Sequence, residues 1–156
     1  MERNFKEHFR TLQNIYLGLF VGMFLFAFVI IFFLTPESTE GYKTYDLIFP
    51  FFSMITLTGS FILFKYLLEN AMKEENFKIK FSYYKYAKIA IAGIWETTIL
   101  IALIIYFFSG NMSFLFISSF FVVLLLANIP TIPRYIDDLE LSEEEIQKLN
   151  DEHLKF

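Results

Sequence analysis

Residues 89–108 read IAIAGIWETTILIALIIYFF, twenty residues that carry a single charge, Glu96. An α-helix rises about 1.5 Å per residue, so this stretch is about 30 Å long, the thickness of a bilayer's hydrocarbon core. Glu96 is also the only charged residue between Lys88 and Arg134. Three further apolar stretches of similar kind flank this one. The pattern predicts an all-α membrane protein, a four-transmembrane-helix bundle with spans at about 15–34, 47–66, 86–108 and 112–129. Pro50 is expected in the first turn of the second span, where proline is tolerated. Pro130 and Pro133 are expected to stop the fourth. Residues 1–136 form the predicted transmembrane domain and residues 137–156 an acidic cytoplasmic tail.

Composition agrees. Aliphatic, aromatic and sulfur residues make up 56% of the chain and charged residues 19%, more apolar surface than a soluble chain of 156 residues could bury. Phenylalanine occurs 22 times against one tryptophan, which suits helices whose solvent is lipid. The net charge of −4 gives no case for a nucleic-acid partner. With no cysteine there is no disulfide framework and no thiolate metal site. The two histidines, His8 and His153, lie near opposite ends of the sequence, outside the apolar runs, so neither a metal nor another cofactor is expected. No nucleophile–base pair or acidic metal motif stands in a span, so no enzymatic activity is expected.

Orientation follows from the thirteen basic residues. Arg3, Lys6 and Arg10 precede span one. Lys65, Lys73, Lys78, Lys80, Lys85 and Lys88 surround the second connector, and Arg134, Lys148 and Lys155 follow span four. Lys43 alone falls in the first connector. Basic residues remain on the cytoplasmic side, so both termini and the middle loop are expected inside, with Thr39 to Thr44 outside. The first apolar run exceeds a signal-peptide core and no small-x-small cleavage site follows, so span one is expected to stay as an anchor. Glu2 stands where myristoylation needs glycine.

The two halves align. A shift of 75 places lays Phe9-Arg10 on Tyr84-Lys85, Gly18 on Gly93, Ala27 on Ala102 and Phe32-Phe33 on Phe107-Phe108. A shift of 69 lays Lys65-Tyr66-Leu67 on Arg134-Tyr135-Ile136, with Glu69 on Asp138. The expected architecture is therefore two duplicated helical hairpins, parallel repeats about an axis along the membrane normal. The alternative is that any two Phe/Ile-rich spans align tolerably. Glu96 falls on Val21, so the architecture itself does not require the acid.

Small residues mark helix-packing positions. Gly18 and Gly22 form G-x-x-x-G, and Ala92 and Gly93 lie one turn before Glu96; either packing inside the bundle or recognition of a partner uses such positions. Ser53, Thr56 and Ser60 fall on one stripe of span two. Counted from the inner boundaries at Tyr66 and Tyr86, Thr56 and Glu96 are each ten residues deep, roughly 15 Å. This makes Glu96, Thr56, Ser53 and Ser60 an expected intramembrane polar cluster. A charged acid at a helix centre costs about 3 kcal/mol on insertion scales, and desolvation favours the neutral form. Two roles stay open: protonated interhelical glue, or a proton- or cation-exchanging carboxyl.

Residues Ala90-Ile91-Ala92-Gly93-Ile94-Trp95-Glu96, with the Ile/Leu run after them, resemble the carboxyl-bearing helix of rotary ATPase proteolipid (c-ring) subunits. The likeness covers about 20 residues. The glycine repeats of that family are absent, and the acid stands on the first helix of its hairpin rather than the second. The whole chain resembles small uncharacterised four-span bacterial inner-membrane proteins. A third span with an acid, the turn Gly110-Asn111, and the phrase running from Pro130 through Arg134, Asp138 and Leu139 to Ser142 carry that resemblance. It implies a multi-pass protein of the bacterial inner membrane and lends no activity.

In the tail, Ser142 and Glu145 form a capping box that should start a short helix from Glu143 to about His153. Ile146, Leu149 and Leu154 give it a narrow apolar stripe. The tail is expected to be solvated and dispensable, the alternative being that it docks on a cytoplasmic partner or on the basic middle loop. Taken together, the sequence predicts a non-enzymatic integral membrane protein whose partners are the lipid bilayer and either a second copy of itself or a larger membrane complex. The alternative is a transport component coupled to protons or cations through Glu96.

Overall fold

The computed structural model describes residues 5–34 and 43–150, without the side chains of Lys43, Lys148 and Asn150. The described residues form six helices and no strand: α1 (Phe5–Phe33), α2 (Lys43–Met72), α3 (Phe77–Ser109), α4 (Ser113–Ala127), α5 (Ile132–Asp138) and α6 (Glu143–Asn150). Most of the loop expected outside, Thr39–Thr44, lies outside the described residues, as do Arg3, His153, Leu154 and Lys155.

Three helices, α1, α2 and α3, are long and apolar enough to cross a membrane. The fourth expected span is a shorter element. The helix ends at Ala127 rather than near residue 129, and its fifteen residues reach spanning length only if α5 is counted with it. Yet α5 is bent from α4 by 91°. Asn128 caps α4 by donating its backbone N–H to Leu124 O at 3.0 Å, and its side chain bonds the same carbonyl at 2.9 Å. Thr131 then caps α5, accepting from Arg134 N. Pro133 sits in the first turn of α5, where its missing N–H leaves no bond unmade. The second proline thus opens a helix instead of ending one.

Two more expectations need correction. Pro50 lies inside α2, two turns from its start, because the helix begins at Lys43 and not near Asp46. Membrane helices accept such a proline because neighbouring groups satisfy the carbonyl it leaves free. The middle loop is nearly all helix: α2 runs to Met72 and α3 resumes at Phe77, capped by Asn76, whose side chain accepts from Lys78 N at 3.0 Å. At the other end Gly110 closes α3 with φ 66°, a left-handed conformation glycine adopts without strain, and donates to Tyr106 O at 2.8 Å.

Packing places α3 at the centre. Half of its most apolar window is buried, against 17% for α1 and for α2. A helix apolar on all sides belongs inside. The surrounding helices each turn one stripe inward: Phe9, Leu12, Tyr16 and Met23 of α1, and Phe114, Ser118, Phe121 and Leu125 of α4. Their other faces stay bare, with Phe24, Phe32, Ile55, Ile62 and Phe116 more than half exposed. So much uncovered apolar surface has lipid as its natural solvent. Tyr66 and Tyr86 are exposed at the end rich in lysine.

The two aligned halves pack differently. The backbone of α1 packs on α3 and α4, with little approach to α2, whereas α4 packs closely on α3. The counterpart of the unbroken α2 is the broken pair α4–α5. Tyr66 and Tyr135, aligned in sequence, are exposed and fully buried respectively.

Candidate functional site

Three hydroxyls of α2 were expected to meet Glu96. Each bonds its own helix instead: Ser53 Oγ to Phe49 O at 2.8 Å, Thr56 Oγ1 to Phe52 O at 2.9 Å, and Ser60 Oγ to Leu57 O at 2.7 Å. Ser60 also accepts from Trp95 Nε1 at 2.9 Å, so the partner of the stripe is the residue before Glu96. Equal depth does not make equal azimuth. One residue turns a helix by about 100°, and Glu96 is two residues from Thr98. Thr98 and Ile94 line a groove with Phe52 and Thr56 of α2, and Glu96 does not. Glu96 is half-buried on the other flank of α3, and among the described residues no hydrogen bond or ion pair reaches its carboxyl.

The small residues divide. Ala92 is fully buried in the core. Gly18 and Gly22 face away from the bundle, on the side of α1 opposite Tyr16 and Met23, and a Cβ at either would meet nothing within 4 Å. The same holds for Gly93. None of the three glycines lets a neighbouring helix of this chain approach closely.

The richest polar site lies at the basic end, where lysines had served only to set orientation. Lys88 is 3% exposed, and its Nζ lies 3.0 Å from Asp138 Oδ2. Tyr84 donates to the same oxygen at 3.2 Å. The ammonium also sits 4.5 Å from the centre of the Phe64 ring, a cation–π contact. Tyr16 of α1 donates to Lys88 O at 2.7 Å, and with Phe64, Trp95 and Asn128 it lines a cavity of about 10 Å³ beside the lysine. That volume is of the order of one water, too small for an organic ligand. Two turns earlier on α3, Lys80, 7% exposed, pairs with Glu145 Oε1 at 2.5 Å.

Between these pairs stands Tyr135. Its ring is fully buried and packs against Tyr84 at 4.8 Å, Phe5 at 5.6 Å and Phe81 at 5.7 Å, with Phe9 and Phe77 at 6.2 Å. Its hydroxyl has no hydrogen-bond partner among the described residues. Burial first, then the charge of Glu145, holds that hydroxyl well above the ordinary phenol range.

As far as it is described, to Asn150, the tail is therefore docked and not solvated, which is the alternative reading of the sequence. Leu139, Leu141 and Leu149 are buried with it. The capping box forms as expected: Glu145 accepts from the N–H and the hydroxyl of Ser142 at 2.9 and 3.0 Å. The same carboxylate reaches Lys80, a contact the box did not announce. A readable hint existed in the spacing Lys80, Tyr84, Lys88, which puts two cations on one stripe with buried rings.

Glu145 gives a pH test. Burial pushes its carboxyl up, but the Lys80 bond and the two Ser142 bonds outweigh that, and the net is lowered from 4.5. A depressed folded value contributes stability that is present above pH 4.5 and is lost as the pH falls through the folded value. The melting temperature of the purified protein should therefore drop on acidification below that point. Glu145→Gln should flatten this part of the profile; an unchanged profile would rule the linkage out.

Comparisons with models of known protein families, with curated proteins and with solved structures returned no match. Among the described residues no group of His, Cys, Asp and Glu could hold a metal ion.

Proposed function

We propose that this chain is a non-enzymatic membrane protein that assembles with copies of itself or within a larger membrane complex. The observation that carries this reading is Glu96, a half-buried carboxyl in the middle of an apolar helix, unbonded among the described residues. A lone acid at that depth is costly, and a hydrogen bond from a neighbouring transmembrane helix offsets part of the cost. Gly18 and Gly22 add support, since a G-x-x-x-G left open on the outer side of α1 is shaped for a helix from elsewhere. In this reading the basic end lies in the cytoplasm, α4 crosses as a fourth span, and the protein sits in a bacterial inner membrane.

The absence of cysteine makes the test clean, because every adduct reports an introduced site. Single cysteines at Leu100, one turn from Glu96, and at Leu25, beside Gly22, should give oxidative cross-links in native membranes. Ile62, exposed on α2, should not. Glu96→Leu should weaken the Leu100 adduct several-fold, and Glu96→Gln, which can still hydrogen-bond, should spare it. Monomer alone from both positions would sink the proposal. The alternative, proton- or cation-coupled transport, draws on the same freedom of the Glu96 carboxyl. Loss of ion flux in Glu96→Gln with cross-links intact would favour it.

A further inference from the structure

We propose that α5–α6 is a hinged strap, closed over Lys80 and Lys88 by two ion pairs that act as one latch. The strap joins α4 through residues 128–131, where the chain bends by 91°. Swinging about that joint moves Asp138 and Glu145 together, because a short segment alone separates them.

Four features mark the closed form as poised and not welded. The backbones of α5 and α6 approach the other helices at few points, so attachment falls to side chains: the Tyr135 ring, the buried leucines and the two ion pairs. The lysines are nearly inaccessible, yet the side chains of Asp138 and Glu145 are 26% and 23% exposed, so water reaches the acids from outside. Docking buries the Tyr135 hydroxyl without a hydrogen bond among the described residues, a cost the open form escapes. Glu140, in the joint between α5 and α6, is held at φ 48°, a left-handed conformation unfavourable to a residue with a Cβ.

Opening would bring two α3 lysines to water and bare the rings of Phe81 and Tyr84. The inference is independent of the assembly reading, because neither Glu96 nor the α1 glycines take part. It differs from a set of separate surface contacts in one respect: disturbing the Glu145 pair must release Lys88, which Glu145 does not touch.

Amine footprinting of the whole protein in lipid nanodiscs tests that. With acetylating reagent and peptide mass spectrometry, Lys80 and Lys88 should react at least tenfold more slowly than the exposed Lys73 and Lys78. Glu145→Lys should raise the rate at Lys88 by tenfold or so. Adding Lys80→Glu to that variant restores an ion pair of reversed sense and should return Lys88 to its slow rate, which a damaged bundle could not do. An unchanged Lys88 rate in Glu145→Lys would overturn the proposal, and so would an acceleration that the exchanged pair fails to reverse.

Discussion

Tyr135→Ala should destabilise the purified protein by about 3–5 kcal/mol, the range for removing a large buried aromatic side chain. The ring is wholly inaccessible and touches five others drawn from α1 and α3, so its loss leaves a cavity walled by the rings of two helices. Tyr135→Phe should do the reverse. It keeps the ring and removes a buried hydroxyl with no partner among the described residues, so a gain of about 1 kcal/mol is expected. Thermal unfolding in one detergent compares the three proteins. A Phe variant as damaged as the Ala variant would show that the hydroxyl, and not the ring, holds the strap.

Removing Asp138 should be nearly as severe. In Asp138→Ala the Lys88 ammonium stays buried without its counter-charge, and breaking a buried pair in this way costs about 3–5 kcal/mol. Asp138 is 26% exposed on its side chain, so water softens the loss and about 2–3 kcal/mol is expected here. The partner experiment sharpens the claim. Lys88→Met combined with Asp138→Ala removes both charges and should recover most of the stability. A double variant no better than Asp138→Ala would mean that the aspartate serves chiefly through Tyr84.

The membrane helices were legible because each rests on one property that a linear reading preserves, the length of an uncharged run. Residues 89–108 needed no knowledge of neighbours. Their continuation was hidden for the same reason: Lys65, Lys78 and Lys85 interrupt hydrophobicity, not helix, and so the ends of α2 and α3 read as loop. Depth, too, is linear in residue number, which is why Thr56 and Glu96 could be placed at one height. Azimuth across two helices depends on how they are rotated against each other, and that is settled by packing. Trp95, buried against Phe61 of α2, and not Glu96, makes the contact with Ser60. Docking of the tail on the basic middle loop read only as the alternative, because its acids look solvated until the lysines that face them are known to be buried.

That pairing has a consequence for the order of events as the chain is made. Tyr84 and Lys80 meet partners 54 and 65 residues further along. Synthesis runs from the N-terminus, so α3 enters its surroundings with two cations whose counter-charges have not yet been translated. For that interval its basic end must stay hydrated, and the aromatic cluster around Phe5, Phe9 and Phe81 lacks the ring that fills it. The final arrival of α5 and α6 turns a set of inserted helices into a finished body. A chain that stops short of Asp138 would carry every long apolar helix and still leave Lys80 and Lys88 without the acids that pair with them.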